Sequence, residues 1–307
     1  MKPFFSIVIS VYNKSSYIEQ TLKSVVNQTF TDFEIIIVDD GSTDNSLEVL
    51  KGFTDNRISV FTTENQGVSA ARNFGILKAE AAYIALLDGD DTWKIDYLEC
   101  LHKAILKFPD KKIFTVHVAQ NYGHKIVPLN YSFKQDKLYG IHNFFEASQK
   151  YSILTSSSIV FNKSILKKTG LFDTSIVSGE DVDMWIRFGL FFDVVFINKL
   201  LVLYNYNPLS LSNTTFDLSK KPKFDKYLNE EKGDKFLKTF LDRNRYSMAI
   251  MGKLQNDKKS FNYYRNHLDI KSLNTRRKIL LKSPKWLLQF LLKILSLKGE
   301  KLYYPNN

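Results

Sequence analysis

Three aspartates surround one glycine at Asp88-Gly89-Asp90-Asp91, directly after the apolar run Ala85-Leu86-Leu87. Carboxylates that close repel one another unless a cation or a proton compensates them. Hard oxygen ligands on a tight turn suit Mg²⁺ or Mn²⁺, and one or two carboxylates plus substrate phosphates is the usual arrangement for Mg²⁺. The plainer reading is a turn whose acids cap a helix starting near Thr92. A second cluster, Asp39-Asp40-Gly41-Ser42-Thr43-Asp44, also follows an apolar run. A carboxylate there can accept from the imide N–H of a base or from a ribose hydroxyl. A turn with a helix cap would explain Ser42 to Asp44, but it does not require both Asp39 and Asp40. The third stretch, Asn65-Gln66-Gly67-Val68-Ser69-Ala70-Ala71-Arg72-Asn73, puts small residues around an arginine. Arg72 is suited to neutralise a phosphate or to orient an acidic neighbour, and an ordinary surface ion pair is the alternative.

The elements that must hold these residues alternate strand and helix. FSIVISV at residues 5–11 is a run of the kind buried on both faces of a parallel sheet. Residues 15–28 carry Ile18, Leu22, Val25 and Val26 at helical spacing. Strands are predicted at 33–38, 57–62 and 82–87, with helices from Thr43 or Asp44 to about Gly52 and over 67–79. Repeated β-α-β predicts a doubly wound α/β sheet, where ligands bind at the carboxyl ends of strands. Both acidic clusters fall at such ends. Beyond residue 99 the pattern is more mixed. Residues 151–161 predict a strand pair or a strand after a Ser-rich loop, and 193–206 predict one or two strands. Residues 178–188, SGEDVDMWIRF, predict a capped helix with acids in its first turn.

Taken in order, IVISVYN at 7–13, VDDGSTDNS at 38–46, NQGVSAARN at 65–73 and LLDGDDTW at 86–93 closely resemble the motifs of the family 2 inverting glycosyltransferases of GT-A fold. Four ordered motifs over roughly residues 4–213 are far more specific than any one of them. The resemblance implies a nucleotide-sugar donor, usually a UDP-sugar, with Mn²⁺ or Mg²⁺ bridging its phosphates. It implies a nucleotide-sugar-binding half over 1–98 and an acceptor-binding half over 99–216; a sharp break in charge composition marks a boundary near residue 216 and a basic helical extension over 217–307. By position, Ser10, Val11 and Tyr12 would line the base pocket, with Asp40 on the uracil and Asp39 supporting it. Asn65 and Arg72 would lie near the base and sugar-phosphate. Asp88, on the Gly89 turn, would meet the ribose or donor sugar, and would also stand beside the metal. Asp90 would hold the metal, with Asp91 as the alternative ligand.

Ser178-Gly179-Glu180-Asp181 matches the family's Glu-Asp motif, which implies Asp181 as catalytic base and Glu180 beside it for acceptor contact. Trp185, one turn on, is either a sugar-stacking floor or core packing, and Asp183 faces solvent or Arg187. One segment departs from the pattern. Where many relatives carry histidine in a Tyr-Arg-x-His-x-x-Ser-x-Ser run, this chain has Asn207, a weaker ligand for a hard cation; Ser210 and Ser212 remain as phosphate contacts. The five histidines show no metal-ligand spacing, which speaks against zinc.

Charge is unevenly distributed. The net charge is +11, yet from Asp217 onward there are 22 basic and 9 acidic residues, leaving residues 1–216 at −2. No zinc-finger, helix-turn-helix or RNA-binding signature accompanies the basic third, so nucleic acid is not the expected partner. Within it, PKWLLQFLLKILSL at 284–297 is leucine-rich and flanked by lysines. Such a segment suits the interface of an anionic membrane, with the catalytic domain or a second subunit as the other candidate partner. One cysteine, Cys100, fits a reducing cytoplasm. The N-terminus reads as a first strand rather than a signal peptide, and no run of about 18 apolar residues suggests a spanning helix. The expected protein is a metal-dependent inverting hexosyltransferase at the inner face of the cytoplasmic membrane. It would move a hexose or N-acetylhexosamine from a UDP-sugar to a surface glycan or its lipid-linked precursor. A nucleotidyltransferase would want a glycine- and lysine-rich phosphate loop in place of Val11-Tyr12-Asn13-Lys14. A catalytically dead binding scaffold would lack Asp90 and Asp181.

Overall fold

The computed structural model of the chain describes residues 2–206 and 217–297. Strands β1 (Phe5–Val11), β2 (Phe33–Asp39), β3 (Ile58–Thr62) and β4 (Tyr83–Asp88) are joined through helices α1 (Ile18–Val26), α2 (Ser46–Lys51) and α3 (Val68–Lys78). β1 is buried along its whole length, because β2 and β4 pair with it in parallel on either side and helices cover both faces. Successive side chains alternate between the faces. Ile7 and Ile9 join the core under α1, whereas Val8 packs with Ala71 of α3.

A two-residue strand, β5 (Thr92–Trp93), comes next, then α4 (Tyr97–Lys107), β6 (Ile113–Asn121), β7 (Ile126–Pro128) and β8 (Tyr139–His142). Short helices α5 (Phe144–Ala147) and α6 (Leu166–Thr169) bracket β9 (Val160–Asn162), and α7 (Glu180–Gly189) precedes the long β10 (Val194–Asn205). The sheet runs β3-β2-β1-β4-β9-β6-β10-β5, with β7 on β6 and β8 on β10. β9 is antiparallel to both β4 and β6, and β10 is parallel to β6. The architecture is thus a mixed α/β sheet of GT-A type, more mixed than a purely doubly wound one.

One expectation needs correction here. No helix begins at Thr92: that residue, in β5, pairs with Leu203 of β10, and α4 starts at Tyr97. Of the two readings for 151–161, the structure shows the strand after a Ser-rich loop: a turn over Ser156 to Ser158 leads into the short β9.

The C-terminal part is helical, with α8 (Glu230–Gly233), α9 (Lys235–Gln255), α10 (Lys258–Asn266), α11 (Thr275–Lys282) and α12 (Lys285–Leu297). The charge break near residue 216 is not a packing boundary. Phe224, Tyr227, Leu237, Phe240 and Leu241 lie in the same core as Trp185 and Phe188. A separate small core forms between Leu218 and helices α9, α10, α11 and α12, closed by Lys253, whose ammonium donates to the carbonyl of Ser283 at 3.0 Å. No described helix is long and apolar enough to cross a membrane.

Candidate active site

The register of the sheet brings the two acidic clusters together. Ser10 stands opposite Asp88 and Val11 opposite Asp39, so the ends of β4 and β2 flank the end of β1. Tyr12, just beyond, is 44% exposed, a free ring at the rim. The loop that follows is held by the second motif. Asn13 Oδ1 accepts from the Thr43 amide at 2.8 Å, and the amides of Lys14 and Ser15 donate to Ser46 Oγ (2.7 Å) and Asp44 Oδ2 (3.0 Å). The residues after Gly41 therefore serve the fold, as the turn reading expects. Ser10 is nearly buried, and the Val11 side chain points into the core. Val11 as a pocket-lining side chain is a correction: what it offers the site is backbone, its carbonyl accepting from the Asp40 amide at 2.8 Å.

Asp39 and Asp40 stand in different surroundings. Asp40 accepts from the amides of Gln66 (2.9 Å) and Gly67 (2.8 Å), so its two oxygens hold the loop that carries exposed Asn65. Asp39 is 1% exposed, and its Oδ1 has no hydrogen-bond partner. Buried acceptors are normally satisfied, so this oxygen keeps an unused capacity to accept a hydrogen bond. The residue expected to support is the one with an unused acceptor.

In the DGDD turn each acid has a different environment. Asp88 accepts from Arg72 Nη2 at 2.6 Å. Asp90 bonds the Lys14 ammonium, and its carbonyl accepts from Asn205 Nδ2 at 2.7 Å. Asp91 is turned inward, accepting from Ser157 Oγ and from the Asn205 amide at 3.0 Å. Burial, then the Asp90 and Asp88 charges, push its carboxyl well above the usual range. Asp91 as alternative metal ligand is therefore corrected: it ties the turn to β10. Gly89 is needed for close approach, since an added Cβ would lie 3.1 Å from the Ser10 carbonyl. Among the described residues no three ligating side chains converge as a metal cage. Asp90 alone fits a one-carboxylate site of the kind that a substrate's phosphates complete. Asn207, Ser210 and Ser212 lie outside the described residues.

α7 brings the third element. Gly179 enters it at φ +85°, a left-handed conformation that glycine adopts without penalty, and no side chain caps the helix. The capped start is thus corrected. Glu180 accepts from Arg72 Nη1 at 2.7 Å, so one guanidinium holds both Asp88 and Glu180. Burial pulls the Arg72 pKa down, but the Asp88 and Glu180 charges outweigh it and the net shift is upward. Arg72 is therefore a clamp between acids, not a group standing free to meet a phosphate. Asp181 accepts from the Val182 amide at 2.8 Å. Burial, then the Glu180 charge, push its carboxyl up to about 6, against the pull of Arg72. Asp183 is buried, bonded to Tyr227 (2.7 Å) and Arg187 (3.0 Å). Trp185 is 1% exposed and packs on Phe172 and Phe188, so the sugar-stacking floor is corrected to a core residue.

Sequence reasoning did not single out Lys14, Ser157, Asn205 or Lys221, all of which touch these acids or the turn before them. Lys14 had a signal, as the basic residue next to the Tyr12-Asn13 strand end. Ser157 and Asn205 had none, since only the pairing of β9 beside β4 and the end of β10 beside the turn bring them there.

The chain matches the family described as Glycosyl transferase family 2 over residues 6–170. It is 30% identical over 235 residues to Glycosyltransferase GlyG of Streptococcus pneumoniae serotype 4, covering 71% of this chain and 76% of that one. Among solved structures it resembles S. aureus TarS 1–349 in complex with UDP-GlcNAc (TM-score 0.62, 17% identity), covering 92% of this chain and 91% of that one. It also resembles GalNAc-T7 with UDP, GalNAc and Mn²⁺ (TM-score 0.57, 16% identity), covering 86% of this chain and 56% of that one.

Proposed function

The chain belongs to glycosyl transferase family 2, and on that premise we propose that it moves a hexose or N-acetylhexosamine from a UDP-sugar to an acceptor hydroxyl, with inversion and in one displacement. The observation that carries the reading is the Arg72 clamp, which draws the donor-side Asp88 and the Glu180–Asp181 pair into one site. The UDP-GlcNAc in the TarS neighbour supports the donor class, and the Mn²⁺ in the GalNAc-T7 neighbour supports a divalent cation.

In this reading Tyr12 packs on the pyrimidine, and Asp39 Oδ1 accepts from its imide N–H. Asp40 and Asn65 shape the loop around the base. Asp88, oriented by Arg72, faces the ribose and sugar hydroxyls. Asp90 would hold Mn²⁺ or Mg²⁺ together with the diphosphate, displacing the Lys14 contact. When bound, the cation supplies a Lewis acid that offsets charge on the leaving diphosphate.

Asp181 then acts as general base. As the acceptor oxygen bonds to the anomeric carbon, the carbon–oxygen bond to the diphosphate breaks on the opposite face, and the acceptor proton goes to the Asp181 carboxylate. UDP leaves with the bonding pair. A carboxyl near 6 is ionised at neutral pH yet basic enough to take that proton. Glu180 is held by Arg72 and contributes to the acceptor side.

The acceptor in this proposal is a surface glycan or its lipid-linked precursor, met at the inner face of the cytoplasmic membrane. α12 supports the location. Leu288 is fully buried against the helical core, whereas Trp286 (68% exposed), Phe290 (56%) and Ile294 (37%) form one outward stripe at four-residue spacing. An apolar stripe on a strongly basic segment is suited to an anionic lipid interface. The function is tested by UDP release from UDP-GlcNAc with Mn²⁺: it should be present in the native chain and lost in Asp181→Asn while UDP binding persists.

A further inference from the structure

The segment just beyond residue 216 returns to the start of α7. The Lys220 carbonyl accepts from the amides of Val177 (3.1 Å) and Ser178 (3.3 Å). Pro222 closes over Gly179, its Cδ 3.1 Å from where a Cβ would stand. Between them, Lys221 is 4% exposed and its ammonium donates to Ser178 Oγ at 2.6 Å. Among the described residues no carboxylate forms a direct ion pair with it.

A buried ammonium is costly, several kcal/mol as a rough scale. A neutral amide could make the same bond to Ser178 without that cost, so the charge itself needs a reason. The reason lies at the head of α7. Asp88, Glu180 and Asp181 bring three carboxylates to one corner, and among the described residues Arg72 alone forms an ion pair with any of them. We propose that Lys221 is a positioning residue for Asp181. From the C-terminal segment it fixes the Ser178–Gly179 turn and supplies the second positive charge that lets Glu180 and Asp181 stand side by side. This rests on Asp181 being the base.

The charged groups that act on Asp181 are Glu180 on its own helix, Arg72 from α3 and Asp88 from β4; Lys221, from the 217–222 segment, bonds the Ser178 side chain at the turn before α7 and feels the Asp181 and Glu180 charges. Burial lowers the Lys221 pKa, and the Asp181 and Glu180 charges push it back up. The coupling must be reciprocal: whatever Lys221 does to Asp181, Asp181 does to Lys221.

The test is carboxyl ¹³C NMR of aspartate-labelled full chain, with the Asp181 resonance identified by its loss in Asp181→Asn. In Lys221→Gln the Asp181 midpoint should rise by about half a pH unit or more. Lys221→Arg should restore it, and Ser178→Ala, which keeps the charge, should move it less than Lys221→Gln. An unmoved midpoint in Lys221→Gln, or an equal rise in Lys221→Arg, overturns the proposal. Should Lys221→Gln fail to fold, lysine ¹³Cε NMR reads the other half of the coupling: the Lys221 midpoint should fall in Asp181→Asn, and no change overturns the proposal. Neither readout needs a donor. If the coupling appears but Asp181→Asn still transfers sugar, the catalytic reading fails alone. If transfer is lost without coupling, the Lys221 inference fails alone.

Discussion

Arg72 and Glu180, 108 positions apart in the chain, meet at 2.7 Å through Nη1 and Oε1, while the other terminal nitrogen of the same guanidinium holds Asp88. The clamp joins the strand that ends in the donor-side acids to the helix that carries Asp181. Its two partners need the planar fork of arginine, which lysine does not have. Arg72→Leu should leave the buried Glu180 and the partly buried Asp88 uncompensated and destabilise the fold by about 3–5 kcal/mol in urea unfolding. Arg72→Lys should lose less stability but still lose most turnover, because one ammonium cannot hold both acids in place. Unchanged turnover in Arg72→Lys would show that the clamp does not position the site.

Asp39 and Asp40 are adjacent yet do different work. Asp40→Asn replaces an acceptor of two loop amides, and should lower stability by about 1–2 kcal/mol with a weaker loop around Asn65. Asp39→Asn removes no bond made within the chain by Oδ1, so stability should hold while UDP affinity, read by calorimetry, falls about tenfold or more. The opposite pattern would return the base contact to Asp40.

The Asp181 carboxyl titrates near 6, raised from the ordinary carboxylate value by burial and by Glu180. A base must be ionised, so turnover should rise with pH through about 6 and fall roughly tenfold per unit well below it. Asp181→Asn should abolish that limb and lower transfer by about 100-fold to 10,000-fold. A pH–rate profile flat between 5 and 7 would remove Asp181 as the titrating base.

Much of this was legible in the sequence, and the limits are instructive. Apolar β-branched runs and helical spacing placed the strands and helices of the first hundred residues, because parallel strands buried on both faces leave a continuous signal. Strand ends then located both acidic clusters. What each acid does was not legible. Asp39 and Asp40 differ by which face of β2 they leave, and Asp90 and Asp91 by one residue of a turn. Their partners Ser157, in the turn before β9, and Asn205, at the end of β10, arrive from far along the chain. Trp185 could not be assigned from helical spacing alone, since the core it enters is built partly by Phe172 and by residues beyond 216. For the same reason the charge break marked a change of composition and not the edge of a core.

The outward stripe of α12 gives a prediction of location. Replacing Trp286, Phe290 and Ile294 by serine removes exposed apolar surface without touching buried Leu288, so folding should be unaffected. Co-sedimentation with phosphatidylglycerol vesicles should fall about tenfold or more. Equal sedimentation of the triple variant and the native chain would sink the membrane reading of this helix.

In the proposed donor site Asp90 and a divalent cation would hold the diphosphate. Calorimetric titration of UDP, with and without Mn²⁺, into the native chain and Asp90→Ala puts this to the test. Mn²⁺ should tighten UDP binding about tenfold or more in the native chain and give no such gain in Asp90→Ala. The same Mn²⁺ gain in both, or no UDP binding by the native chain under either condition, would overturn the site.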